Sequence, residues 1–141
     1  MRKQIILFLV LAFSLNLVWE VSHSYLYDWD ESPLKNNVQF YIPKILGATL
    51  GDLVILASIF LILSLIHQNL SWFNNLIPLD YIIITLLGLI TAIIIEIRGV
   101  YLLNRWSYNE LMPIIFGIGL TPLIQIVITT LLALWLSSSI K

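Results

Sequence analysis

The sequence predicts an all-α fold, a four-helix transmembrane bundle with both termini on the same side. Three observations point there. Of 141 residues, 60% are apolar and 11% charged, against about 45–50% and about 25% in an ordinary soluble domain. The mean hydropathy is +0.96. The apolar residues fall into four runs near the roughly 20 residues that cross a hydrocarbon core about 30 Å thick, separated by polar, aromatic or proline-bearing joints.

The first run covers residues 5–21. Arg2 and Lys3 ahead of it, with Ala12 and Ser14 as small residues, also fit a secretory signal. The run continues through Leu15, Leu17, Val18 and Trp19, which makes it long enough to span and stay. The second run covers 45–66, the third 81–97 and the fourth 111–136. One integral membrane domain over 1–141 is the expected organisation. The joint 22–44 is rich in aromatics (Tyr25, Tyr27, Trp29, Phe40, Tyr41), as is the joint 99–110 (Tyr101, Trp106, Tyr108), and aromatics of this kind anchor helices at the interface. The joint 68–79 reads as a plain turn with Trp72 and Phe73 among headgroups. Pro43, Gly47 and Gly51 at four-residue steps match Pro113, Gly117 and Thr121, a faint repeat that fits two parallel helical hairpins and equally fits chance, since proline at helix starts and glycine at close-packed membrane faces are both common.

Charge narrows the functions. Seven basic and eight acidic residues give a net charge of −1, which leaves no basic surface for nucleic acid. Without cysteine there is no thiol chemistry, disulfide or thiolate metal site. Two histidines are too few for haem or a multi-histidine centre, so neither a metal nor another cofactor is expected. Arg2, Lys3 and Lys141 share one side, and Lys35, Lys44, Arg98 and Arg105 the other. The bases beside the amino terminus favour cytoplasmic termini in a multi-pass protein of the cell membrane. Seven of the eight acids, Glu20, Asp28, Asp30, Glu31, Asp52, Glu96 and Glu110, fall at the non-terminal face, leaving Asp80 at the other. Asp28, Asp30 and Glu31 read as a solvated turn ending at Ser32 and Pro33.

Ionisable groups at membrane depth are expensive and mark sites or helix-pairing contacts. Asn16 and Glu20 lie four apart, with His23 and Tyr27 continuing their face. Glu20 and His23 have the spacing of one half of a di-iron motif, without the second copy such a site needs. Asp52, two turns inside its helix, is too short to reach the interface and needs a partner or a proton. Glu96 ends the third run with Thr85, Gly88 and Ala92 on its face, which should meet another helix. At least one of Arg98 and Arg105 is expected to pair with Glu20, Asp52 or Glu96. Gln125 sits near mid-membrane on the stripe Gly117, Thr121, Gln125, Thr129, where Pro122 is expected to kink the helix toward its polar side.

The motifs Asn16-Leu17-Val18-Trp19-Glu20, Gly51-Asp52, Glu96, Arg105-Trp106-Ser107-Tyr108, Met112-Pro113, Gly119-Leu120, Pro122 and Gln125 together resemble a set of uncharacterised small four-span bacterial integral membrane proteins across nearly the whole chain. The resemblance implies one recurring site at these positions, Trp19 and Trp106 included, and no particular activity. Relatives often carry a cysteine shortly before the Gly-Asp pair, where this chain has Gly47, Ala48 and Thr49, a departure that argues against thiol or metal chemistry. Trp106-x-Tyr108 ahead of a proline-led helix is also similar to membrane carotenoid cyclases and hydratases, which implies acid chemistry on an isoprenoid.

The expected pocket opens toward the non-terminal face. Its acids, in catalytic roles, are Glu20, Asp52 and Glu96, and its binding residues are Asn16, Trp19, Arg98, Arg105, Trp106, Tyr108 and Gln125. Three functions fit: binding or modifying a lipid or isoprenoid headgroup, a proton-coupled small transporter subunit, or an accessory subunit of a membrane complex. Expected partners are membrane lipids, with a second copy of the chain or a membrane-complex subunit as protein partner.

Overall fold

A computed structural model describes residues 2–28 and 38–139, for 38–40 the backbone alone. The expectations for Trp29, Asp30, Glu31, Ser32, Pro33, Lys35 and Lys141, and for the Phe40 side chain, lie outside the described residues. Four helices are long and apolar enough to cross a membrane: α1 (Arg2–His23), α2 (Val38–His67), α3 (Pro78–Glu96) and α4 (Leu120–Ser139). They form an all-α bundle. Four two-residue strands, β1 (Tyr27–Asp28), β2 (Ser107–Tyr108), β3 (Ile114–Ile115) and β4 (Ile118–Gly119), tie the joints at one end.

Packing runs in the order α2, α1, α4, α3, and α2 and α3 hardly touch. Apolar area alone cannot drive association among lipid tails, so close fit must do it. Gly88 provides that fit, since a Cβ there would come 2.8 Å from Val127 on α4. The core is thickest toward the α2–α3 joint. Phe8 stacks on Phe60 at 5.0 Å, and Phe60 meets Trp72 and Phe73 at 5.7 and 5.5 Å. Trp72 and Phe73 are buried rather than set among headgroups: the turn after α2 folds them under the bundle, and the Trp72 indole N–H donates to Ser64 at 2.9 Å. At the same end Gln4 donates to Asn74 at 3.1 Å. Outward faces carry Val18, Val54, Leu65 and Ile94, as a hydrocarbon-facing surface requires.

The fourth helix differs most from expectation. It begins at Leu120, not at residue 111. Residues 114–119 form an antiparallel hairpin pairing Ile114 with Gly119 and Ile115 with Ile118. Its two central residues, Phe116 and Gly117, have φ of 50° and 83°, a turn whose twist suits paired strands. Pro113 and Gly117 are therefore not on a helix, and the four-residue steps shared with the second helix do not extend to them. Pro122 falls in the first turn of α4, where its missing N–H has no intrahelical partner to lose, so it does not kink the span. Pro43, expected to open the second helix, lies at an exposed position within α2.

Candidate functional site

The end away from Trp72 encloses a cavity of about 490 Å³ to which every helix contributes. The stripe on α1 turns Glu20 and His23 inward. On α2, Lys44, Ala48 and Asp52 recur at four-residue steps on the same wall, α4 adds Pro122, Gln125 and Ile126, and α3 adds Ala92, Ile95 and Glu96. Arg105 and Trp106 reach in from the α3–α4 joint. The exposed Arg105 stands at the mouth, and Lys44 Nζ lies 5.9 Å from the centre of the Trp106 ring.

Gln125, almost fully buried, joins three helices. Its Nε2 stands 2.7 Å from Asp52 Oδ2, 2.9 Å from Glu20 Oε1 and 3.2 Å from Asn16 Oδ1. An amide NH2 has two protons, so three acceptors compete for two bonds. His23 Nε2 approaches Glu20 at 3.4 Å, while its Nδ1 is buried with no partner among the described residues. Asn16 is anchored through its own amide to the Ala12 carbonyl at 2.8 Å.

Glu96 is held differently. After α3 the chain widens into a π-helical turn, Ile97–Leu102, and Gly99 lies against the Trp106 ring with no room for a Cβ. The chain then returns so that β2 pairs with β1, setting Tyr108 opposite Tyr27. Cross-strand neighbours point to one face, and both phenols donate to Glu96: Tyr108 at 2.5 Å and Tyr27 at 3.4 Å, with the Trp106 indole N–H at 3.4 Å. Burial first raises the pKa of both Tyr27 and Tyr108 above the ordinary phenol value, followed for Tyr27 by the Glu96 charge and for Tyr108 by its hydrogen bond to Glu96. Both therefore remain donors.

The predicted site residues thus divide. Glu20, Asp52, Glu96, Arg105, Trp106 and Gln125 line the cavity. Asn16 touches it through Gln125, and Tyr108 through Glu96. Trp19 is set back, its indole nitrogen buried without a partner. Arg98 is exposed, turned outward by the π-helical turn. Among the described residues neither Arg98 nor Arg105 forms an ion pair with Glu20, Asp52 or Glu96. That expectation is corrected: aromatic donors on a returning loop occupy Glu96, and an amide serves the other two. His23, Ser24, Tyr27 and Lys44 line the cavity without having been chosen as site residues. The signal for His23 and Tyr27 was their continuation of the Asn16 stripe, and for Lys44 its place two turns before Asp52. Among the described residues no three histidine, aspartate or glutamate side chains are placed to hold a metal ion. No protein-family model, curated protein or solved structure matches the chain.

Proposed function

We propose that this chain is a single multi-pass membrane domain, with both termini on the cytoplasmic side, whose cavity binds or modifies the headgroup of a lipid or isoprenoid. The topology is supported by two contacts beside the α2–α3 joint: Gln4 bonds Asn74, and Trp135 and Ser138 border a surface recess with Phe73 and Asn74. The observation that carries the function is the cavity itself, an apolar-walled chamber inside membrane-capable helices holding Glu20 and Asp52 in its floor and Arg105 at its mouth. Apolar walls with a few convergent polar groups are the usual make-up of a small-molecule site. Glu20 and Asp52 meet the ligand and are its acids. Arg105 faces an anionic part of the headgroup, and Glu96 fixes the aromatic wall.

Mass spectrometry of lipids retained by the purified protein tests this. Wild type is expected to retain a defined lipid that Glu20→Gln and Asp52→Asn lose. Identical retention in all three, or only bulk lipid, refutes the reading. A second reading, proton-coupled transport, is favoured by the meeting of two carboxyl groups at one amide inside the spans. Proteoliposomes in which those two variants abolish a pH-driven flux would select it.

A further inference from the structure

The four helices do not close a ring around the cavity. α2 leans on α1 and hardly meets α3, so among the described residues the chamber has an open side between them, with Gly51 and Ile55 of α2 and Ala92 and Ile95 of α3 in its lining. Glycines in spans usually let helices approach, as Gly88 does. A Cβ at Gly47 or Gly51 would meet nothing within 4 Å. Of the two, Gly51 lines the cavity and keeps the passage wide on the α2 side, and in a membrane what stands outside that passage is lipid.

Around the Gln125 amide acceptors outnumber protons, and Lys44 and Arg105 are cations of the same cavity's lining. Glu20, Asp52 and Asn16 compete for the two protons of Gln125. His23 is 7% exposed, lines the cavity, and holds Nδ1 without a partner. Between Glu20 and Asp52, away from Arg105 at the mouth, a phosphate would bring more acceptors and like charge, and a hydroxyl one proton and no charge. An ammonium brings three protons to the oxygens of Glu20, Asp52 and Asn16, and a positive charge beside two carboxyl groups at membrane depth.

We propose that the gap between α2 and α3 is a lateral portal through which an amine-bearing amphiphile passes from the bilayer and seats its ammonium between Glu20 and Asp52. This rests on the lipid-binding reading of the cavity and specifies its ligand class and route. The tail remains among the acyl chains, and the head occupies a chamber within the size range of small-molecule sites.

The test uses the full chain in nanodiscs of phosphatidylcholine, whose headgroup has no N–H, titrated with dodecylamine, dodecanol or dodecyl phosphate. Native mass spectrometry counts the molecules retained. Wild type is expected to hold dodecylamine at least about tenfold more tightly than the other two, a gap of about 1.4 kcal/mol. Gly51→Phe, whose Cβ has free space, is expected to keep its helical circular dichroism and lose about tenfold in dodecylamine affinity. Ile95→Trp narrows the passage from the other wall and should act alike, which covers a Gly51 variant that misfolds. Undiminished dodecylamine binding in both variants overturns the portal. Preference for dodecanol or dodecyl phosphate, lost in Asp52→Asn, overturns the amine and leaves the pocket reading standing. Retention of none of the three, with no lipid co-purifying, overturns both.

Discussion

The two ends of the bundle treat buried polar groups in opposite ways. At the Trp72 end Asp80 is fully buried and satisfied: His67 Nε2 lies 2.7 Å from one carboxyl oxygen and the Ile77 N–H donates to the other at 2.9 Å. The His67 ring stacks on Trp72 at 5.7 Å, tilted by 8°. At the cavity end Glu20 and Asp52 share one amide, and His23 Nδ1 has no partner. Both ends join helices of similar apolarity through carboxylates and a histidine. What separates them is whether each polar group's bonding capacity is used. A satisfied buried network fixes geometry, whereas an unfilled one beside a cavity is disposed to receive a ligand.

The largest effect expected from this contrast is on stability. Asp80→Ala removes two hydrogen bonds to a buried carboxylate, from the part-buried His67 ring and from a helix N-terminal N–H, at about 1.5–3 kcal/mol each for bonds to a charged group. It also removes a negative charge from the positive end of α3. Thermal unfolding in detergent should show a midpoint well below wild type, or no folded protein. Asp52→Asn, at the unsaturated end, should stay within about 1 kcal/mol of wild type while losing the lipid proposed to bind there. An Asp52→Asn protein less stable than Asp80→Ala would invert the comparison.

Glu96 sharpens the comparison, since it lines the cavity yet is satisfied by three donors. Glu96→Gln keeps one acceptor but turns an NH2 toward the phenol or indole donors. The loss of charge-assisted bonds should cost about 1.5–3 kcal/mol, between the two aspartate variants, and loosen the Trp106 wall. Unfolding followed by tryptophan emission checks both. An unchanged midpoint would place Glu96 with the ligand-facing acids.

Four helices were legible because a span must be a long apolar run, and their inward polar residues because the Asn16 stripe and the lone Asp52 have nowhere inexpensive to go. The hairpin was not legible, because Ile114, Ile115, Phe116 and Ile118 are as apolar as a span, and apolarity without periodicity does not separate strand from buried helix. The usable signal was Gly117, the second residue of a two-residue turn flanked by β-branched isoleucines. Trp72 and Phe73, set among asparagines, looked interfacial; the polar residues beside them make the turn that folds the two rings under the core. The partners of Glu96 were hidden for another reason. Residues 69 and 12 positions away reach it only because a π-helical turn and a single strand pairing bring Tyr27 and Tyr108 to one face.

The smallest expected effect reads out that sealed cluster directly. Tyr27 and Tyr108 lie beyond the spans, and burial, then the charge of Glu96 on Tyr27 and its hydrogen bond with Tyr108, holds both phenols above their ordinary value of 10.0. A folded-state pKa above the unfolded one means the fold keeps the proton to higher pH. The stabilisation is therefore complete below about pH 10 and is lost as pH rises past it, toward the folded-state values. Of the six tyrosines, two should ionise late in an ultraviolet titration of the folded protein in detergent, and all six should come into line on unfolding. Glu96→Gln should bring the late pair down only part of the way, since burial ranks ahead of the charge and the substitution leaves the pocket walls in place. Six phenols titrating together in the folded protein would mean that water reaches Glu96, and the distinction between a sealed carboxylate and an open pair of them would then disappear.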